Sequence, residues 1–131
     1  EKITSSKAVQ VSNEKLIFTK IKNIEEVNRA IANSSKPVML DFWASWCVAC
    51  KELEEITFKD EAVIAKLQGF TLLKADVTAN NEDDKALQKL YGIVGPPGLI
   101  FWDKDKKEVT SSKIVGYKNP TDFLQIVNKN F

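Results

Sequence analysis

Val38-Met39-Leu40-Asp41-Phe42-Trp43-Ala44-Ser45-Trp46-Cys47-Val48-Ala49-Cys50-Lys51 passes from an apolar run into a closely spaced cysteine pair and on into helix-forming residues. Val38 to Trp43 is apolar on both faces, interrupted only by Asp41, as expected of a central strand covered by helices on either side. Cys47 and Cys50 are the only cysteines of the chain. Two thiols separated by two residues at a helix start can close a small disulfide ring. The free N–H groups and positive dipole end of the helix stabilise whichever sulfur becomes a thiolate. The pattern points to thiol–disulfide exchange.

Two other uses of such a pair fit less well. Half of a zinc site needs roughly two further Cys or His ligands. The chain has no histidine and no third cysteine, so a metal would need carboxylates or a second molecule, and neither a metal nor another cofactor is expected. A structural staple between residues three apart closes too small a loop to constrain the unfolded chain, because that benefit grows with loop length.

Working outward, 131 residues with 44% hydrophobic and 28% charged side chains suit one globular domain with a core. The formal charge of +1 is spread over interspersed lysines and acids and gives no reason to expect nucleic acid or a membrane surface as partner. No glycine-rich phosphate loop is present. No apolar run reaches about 18 residues, so the chain is not expected to span a membrane itself. Glu1-Lys2-Ile3-Thr4 lacks the apolar region of a signal peptide, and a start without methionine leaves open a targeting or membrane portion removed by processing.

Residues 1–14 are polar and irregular and read as an arm or linker; residues 15–131 read as the domain. Leu16-Ile17-Phe18 is expected to be a strand, followed by a helix with Ile24, Val27 and Ile31 on one face that ends near Asn33-Ser34-Ser35. After the central strand, the cysteine helix bends near Thr57-Phe58, and Asp60 caps a further helix with Val63, Ile64 and Leu67 before Gly69. Phe70 to Val77 is the next strand. Asn80 or Asn81 caps a helix that carries Glu82, Asp83 and Asp84 in its first turn and ends at Gly92. Gly98 to Trp102 and Ser112 to Val115 form a hairpin around the polar turn Asp103 to Lys107, and Asn119-Pro120 opens a last helix with Phe123, Ile126 and Val127 inward. The order βαβα(α)βαββα implies an α/β fold, a central mixed sheet flanked by helices on both faces.

Asp41 to Lys51, together with Gly95-Pro96-Pro97 before a strand and Val115-Gly116-Tyr117 near the end, resembles the thioredoxin superfamily over roughly residues 15 to 131. Within it, Asp41 to Glu54, Thr57-Phe58 and Ala75-Asp76-Val77-Thr78-Ala79-Asn80 closely resemble the C-terminal periplasmic domain of the DsbD family of transmembrane thiol:disulfide interchange proteins. The resemblance implies a thioredoxin-like fold with an N-terminal extension and a reductant that works by CxxC exchange. Electrons would come from a membrane-embedded dithiol and go to another periplasmic thiol-disulfide domain of the same parent protein, itself in the inner membrane. A free-standing periplasmic reductase for cytochrome c maturation and a redox-inert binding module are the alternatives.

In this reading Cys47, with its sulfur at the surface, is the nucleophile and the shielded Cys50 resolves. The resemblance puts Asp41 beneath the resolving cysteine as proton acceptor; a solvated acid at a strand end is the plainer alternative. Glu54, four residues after Cys50, stacks on the same side of the helix and would adjust the thiol pKa, unless it is only a surface glutamate. Both carboxylates disfavour thiolate, and Val48-Ala49 supplies no positive charge, so the couple should be reducing. Pro97 matches the family's cis-proline, whose backbone would bind an extended segment of the partner, although Gly98 follows it where the family usually has Thr. Trp46 would cover the site, whereas Phe42, Trp43 and Trp102 read as packing and residues 103–108 as a solvated loop.

Overall fold

Residues 16–131 are described by a computed structural model of the chain. In chain order the elements are β1 (Thr19–Ile21), α1 (Ile24–Ala32), β2 (Val38–Trp43), α2 (Val48–Glu55), α3 (Glu61–Leu67), β3 (Thr71–Asp76), α4 (Glu82–Tyr91), β4 (Gly98–Trp102), β5 (Ile114–Val115) and α5 (Pro120–Asn128). The sheet order is β1-β3-β2-β4-β5, parallel from β1 to β2 and antiparallel from β2 to β5. The apolar run Val38–Trp43 is therefore the middle strand, and helices bury both of its faces. Val38, Leu40 and Phe42 join Val27, Ile31, Leu87, Ile100 and the two cysteines in one core. Met39 joins Leu53, Val63, Leu72, Phe101 and Phe123 in the other. This division follows from the two-residue period of a strand.

Side-chain caps start the helices where the sequence offers Asx residues. Asn23, Asp60, Asn81 and Asn119 each accept hydrogen bonds from first-turn N–H groups. At α4 the bond is reciprocated by Asp84, which makes Asn81 rather than Asn80 the cap, and Gly92 closes the helix in the left-handed conformation at φ 67°. The interruption after α2 is a single 3₁₀ turn, Thr57–Lys59. The buried Thr57 hydroxyl donates to the Lys118 carbonyl at 2.6 Å and so ties this bend to the segment before α5.

Two expected strands differ from the sequence reading, and the arm at residues 1–14 lies outside the described residues. Leu16–Phe18 is not a strand; pairing begins at Thr19, where Thr19–Ile21 meets Leu73–Ala75. The apolar cluster there is divided by its surroundings: Ile17 is exposed, while Phe18 packs on the Phe58 ring at 5.9 Å. The last strand shortens to Ile114–Val115 because Thr110–Ser112 forms a 3₁₀ turn. The buried Ser112 hydroxyl accepts from the Asn130 side chain at 2.8 Å and holds that turn against the end of the chain.

Gly98 opens β4 directly after Pro97. A Cβ added there would stand 2.5 Å from Ile93 Cδ1, with Ile93 Cγ1 and Cγ2 at 3.1 and 3.2 Å. Ile93 is buried and β-branched, so it has little freedom to turn aside. The glycine after Pro97 is thus matched to Ile93. Gly98→Ala should lower unfolding stability by about 1–3 kcal/mol in a urea titration, and the double variant with Ile93→Ala should lose less than the sum of the two single changes.

Candidate active site

Strand β2 ends in a short loop that delivers Cys47 to the N-cap of α2. Its Sγ accepts the Cys50 N–H at 3.1 Å, taking the place that an Asn or Asp oxygen holds at the other helix starts. A sulfur in this position receives a helix N–H directly, which favours its thiolate when the bridge is open. Cys47 and Cys50 form a disulfide with Cα atoms 5.3 Å apart. The expected surface sulfur proves to be a narrow opening: Cys47 retains 5% exposure and Cys50 1%. The reason is packing, since both belong to the core that contains Phe42, Ala44 and Ile93. The chain neighbours Trp46 and Val48 are instead exposed, at 62% and 71%.

Asp41 is buried within β2, in register with Lys74 of β3 on one side and Leu99 of β4 on the other. Its Oδ1 and the Trp43 indole Nε1 have no hydrogen-bond partner among the described residues. Burial pushes the Asp41 carboxyl up to about 8. Lys74 draws it down and Glu54 adds to the rise, both less strongly than the loss of water. Lys74 Nζ donates to Glu54 Oε2 at 2.7 Å and lies over the Trp43 and Phe18 rings, 5.2 and 5.3 Å from their centroids. Glu54 is therefore neither a free surface acid nor a lone charge near the sulfurs.

Lys74 is the residue that sequence reasoning passed over. A signal was there: β3 reads as an apolar strand broken by one base, as β2 is by one acid. Only the register shows that the two interruptions stand side by side.

The Pro96–Pro97 peptide bond is cis. Pro97 precedes Gly98, which pairs with Phe42 and Val115, and the Pro97 carbonyl accepts from the Gly116 N–H at 3.0 Å. Cys50 Sγ lies 3.9 Å from the Phe42 carbonyl oxygen, so the Phe42 backbone adjoins both the disulfide and the start of β4. Neither proline has an N–H to give to a partner. Among the described residues no group of three or more His, Cys, Asp or Glu is placed to hold a metal ion, and no helix is long and apolar enough to cross a membrane.

A mixed five-stranded sheet with a CxxC disulfide at a helix start narrows the family, and residues 24–130 match the thioredoxin-like domain model. The chain belongs to the thioredoxin-like family. It is 46% identical over 120 residues to the thiol:disulfide interchange protein DsbD of Pectobacterium atrosepticum, covering 92% of this chain and 21% of that protein. The DsbD of Vibrio vulnificus is 41% identical over 123 residues, with the same two shares. The chain thus spans about a fifth of the length of these relatives. Among solved structures, the oxidised C-terminal domain of DsbD from Neisseria meningitidis superposes with a TM-score of 0.69 at 28% identity, covering 88% of this chain and all of that one. The fold, the disulfide and these relatives together support thiol:disulfide oxidoreductase activity.

The raised Asp41 carboxyl has a measurable consequence for folding. The unfolded chain releases this proton near 3.8, whereas the folded protein keeps it up to about 8. Between those values folding takes up a proton, so this group makes stability fall as pH rises through the window. Asp41→Asn should remove that fall and stabilise the oxidised protein at pH 9 by on the order of a few kcal/mol. Urea unfolding at pH 5 and pH 9 measures both effects; an equal stability change at the two pH values would contradict them.

Proposed function

We propose that this chain is a reductant domain that receives two electrons from a membrane-embedded dithiol and passes them to another periplasmic thiol-disulfide domain of the same parent protein. The observation that carries the proposal is the Cys47–Cys50 bridge at the α2 N-cap, above a strand that holds a buried carboxyl. The likeness to DsbD sequences and to the DsbD C-terminal domain supports the electron route, the periplasmic location and a parent in the inner membrane.

In the reduced state the Cys47 thiolate attacks one sulfur of the partner's disulfide, and the partner's other sulfur leaves as a thiolate. Asp41, when ionised, accepts the Cys50 proton. The Cys50 thiolate then attacks Cys47 Sγ, closes the intramolecular bridge and releases the partner's second sulfur. The partner has gained two electrons, and its thiolates take protons from water. Reloading runs the same bonds in reverse, with the membrane dithiol attacking Cys47 Sγ. Trp46 and Val48 offer exposed apolar surface on either side of the nucleophile. Pro97 orders the start of β4 beside the Phe42 backbone, and with neither proline able to donate, a docked partner segment has main-chain oxygen to meet there.

The direction of transfer rests on thiolate energetics. A couple whose thiolate is strongly stabilised is oxidising. Here the intervening Val48-Ala49 carries no charge, and Lys74, in register with Asp41, is bound to Glu54. A glutathione titration should place the potential nearer to about −270 mV, the thioredoxin value, than to about −120 mV, that of the strong periplasmic oxidant. Cys47→Ser should abolish disulfide reduction. Cys50→Ser, expressed in its host, should hold partners as mixed disulfides that dithiothreitol releases, a membrane dithiol protein and a periplasmic thiol domain among them. Turnover surviving in Cys47→Ser, or a pair that does not cycle, would refute the proposal.

A further inference from the structure

Strand β2 ends at Trp43, and the chain then has to present Cys47 at the start of α2. In a parallel ladder a residue of β3 gives its N–H to one β2 carbonyl and accepts the N–H of the second residue beyond it. The first of these bonds is made, from the Val77 N–H to the Trp43 carbonyl at 2.8 Å. The second would join the Ser45 N–H to the Val77 carbonyl. That carbonyl is taken by the Asn80 N–H at 3.0 Å, in a turn where Asn80 adopts a left-handed φ of 52°. The Ser45 N–H donates instead to Thr78 Oγ1 at 2.9 Å. A threonine hydroxyl has one proton to give. Here it goes to Asp76 Oδ1, which also accepts the Thr78 N–H at 3.0 Å. With the proton committed to the acid, a lone pair of the hydroxyl is left to face Ser45. Ser45 and Trp46 are exposed, whereas Ala44 before them and Cys47 after them are buried. Packing therefore fixes the two ends of this loop, and the tie to its middle from another segment comes from Thr78.

We propose that Thr78, aimed by Asp76, is a positioning residue for exchange: by holding the Ser45 N–H it fixes the loop before α2 and with it the direction from which Cys47 Sγ meets a partner's disulfide. The proposal rests on the reading of Cys47 as the nucleophile. A thiolate displaces sulfur along the axis of the bond that breaks, so the attacking sulfur has to arrive in line. A loop free to swing loses that alignment while the fold stays intact. Because Ser45 is exposed, water can replace the threonine at its N–H with little cost to stability. What is lost is direction, and Asp76 contributes through the hydroxyl it orients.

The test mixes reduced protein with glutathione disulfide near neutral pH, times the loss of the two thiols, and follows hydrogen exchange at the Ser45 amide. Thr78→Val, which keeps the side-chain shape without the hydroxyl, should slow reduction by about tenfold, the most that one ordinary hydrogen bond supplies. It should also remove the protection of the Ser45 amide. Thr78→Ser should restore both. Asp76→Ala should slow reduction less than Thr78→Val does, and the double variant should be no slower than Thr78→Val alone, because the acid acts through the hydroxyl. An unchanged rate in Thr78→Val once the amide protection is gone overturns the proposal. So does a loss that Thr78→Ser fails to restore, or losses that add in the double variant. If Thr78→Val does not fold, Asp76→Ala against Asp76→Asn decides: the amide oxygen still accepts the hydroxyl proton, so Asp76→Ala alone should be slow, and equal rates overturn the proposal. Reduction that persists in Cys47→Ser would instead overturn the reading of Cys47 as nucleophile, and the role of Thr78 with it.

Discussion

The pairing of β2 between β3 and β4 is the constraint from which the site follows. A middle strand with both faces buried has no freedom to slip, because a shift of one residue would carry Asp41 into one apolar core and Phe42 into the other. With the register set, three consequences arrive together. Asp41 is placed next to Lys74, the Phe42 carbonyl lies near Cys50, and Gly98, which follows the proline pair, is drawn in beside Phe42. Hydrophobic burial thereby positions polar chemistry without any polar group having to specify the fold.

The end of that strand matters as much as its middle. A helix start leaves N–H groups without partners, and most helices of this chain meet the need with Asn or Asp. At α2 the need is met by the Cys47 sulfur. One hydrogen bond thus serves as a helix cap and as thiolate stabilisation. The two cysteines differ in position along the same turn, and packing in the core leaves Cys47 5% exposed and Cys50 1%.

Electrostatics in the site are a balance between burial and neighbours. Asp41 loses its water to the packing of the sheet, and this outweighs the attraction of Lys74. Lys74 is itself occupied with Glu54 and with two aromatic faces. A carboxyl held near neutrality in this way can exchange its proton at the pH where thiols react, which an ordinary surface aspartate cannot do.

Much of this was legible in the residues. The unbroken apolarity of Val38–Trp43 marked a strand covered on both sides, the Asx residues marked helix starts, and the spacing of Cys47 and Cys50 with no other ligand in the chain marked exchange chemistry. These are local properties, decided by periodicity, capping and covalent reach. Strand limits at Thr19 and Ile114 were not legible, because each depends on a distant neighbour, Leu73 in one case and Asn130 beyond the adjoining turn in the other. Nor was the meeting of Asp41, Lys74 and Glu54, or the fit of Gly98 against Ile93. Sequence alone determined the order of the main elements and which sulfurs pair; tertiary structure decided which charges stand together and how far each is shielded from water, since both depend on distances between segments that no local pattern encodes.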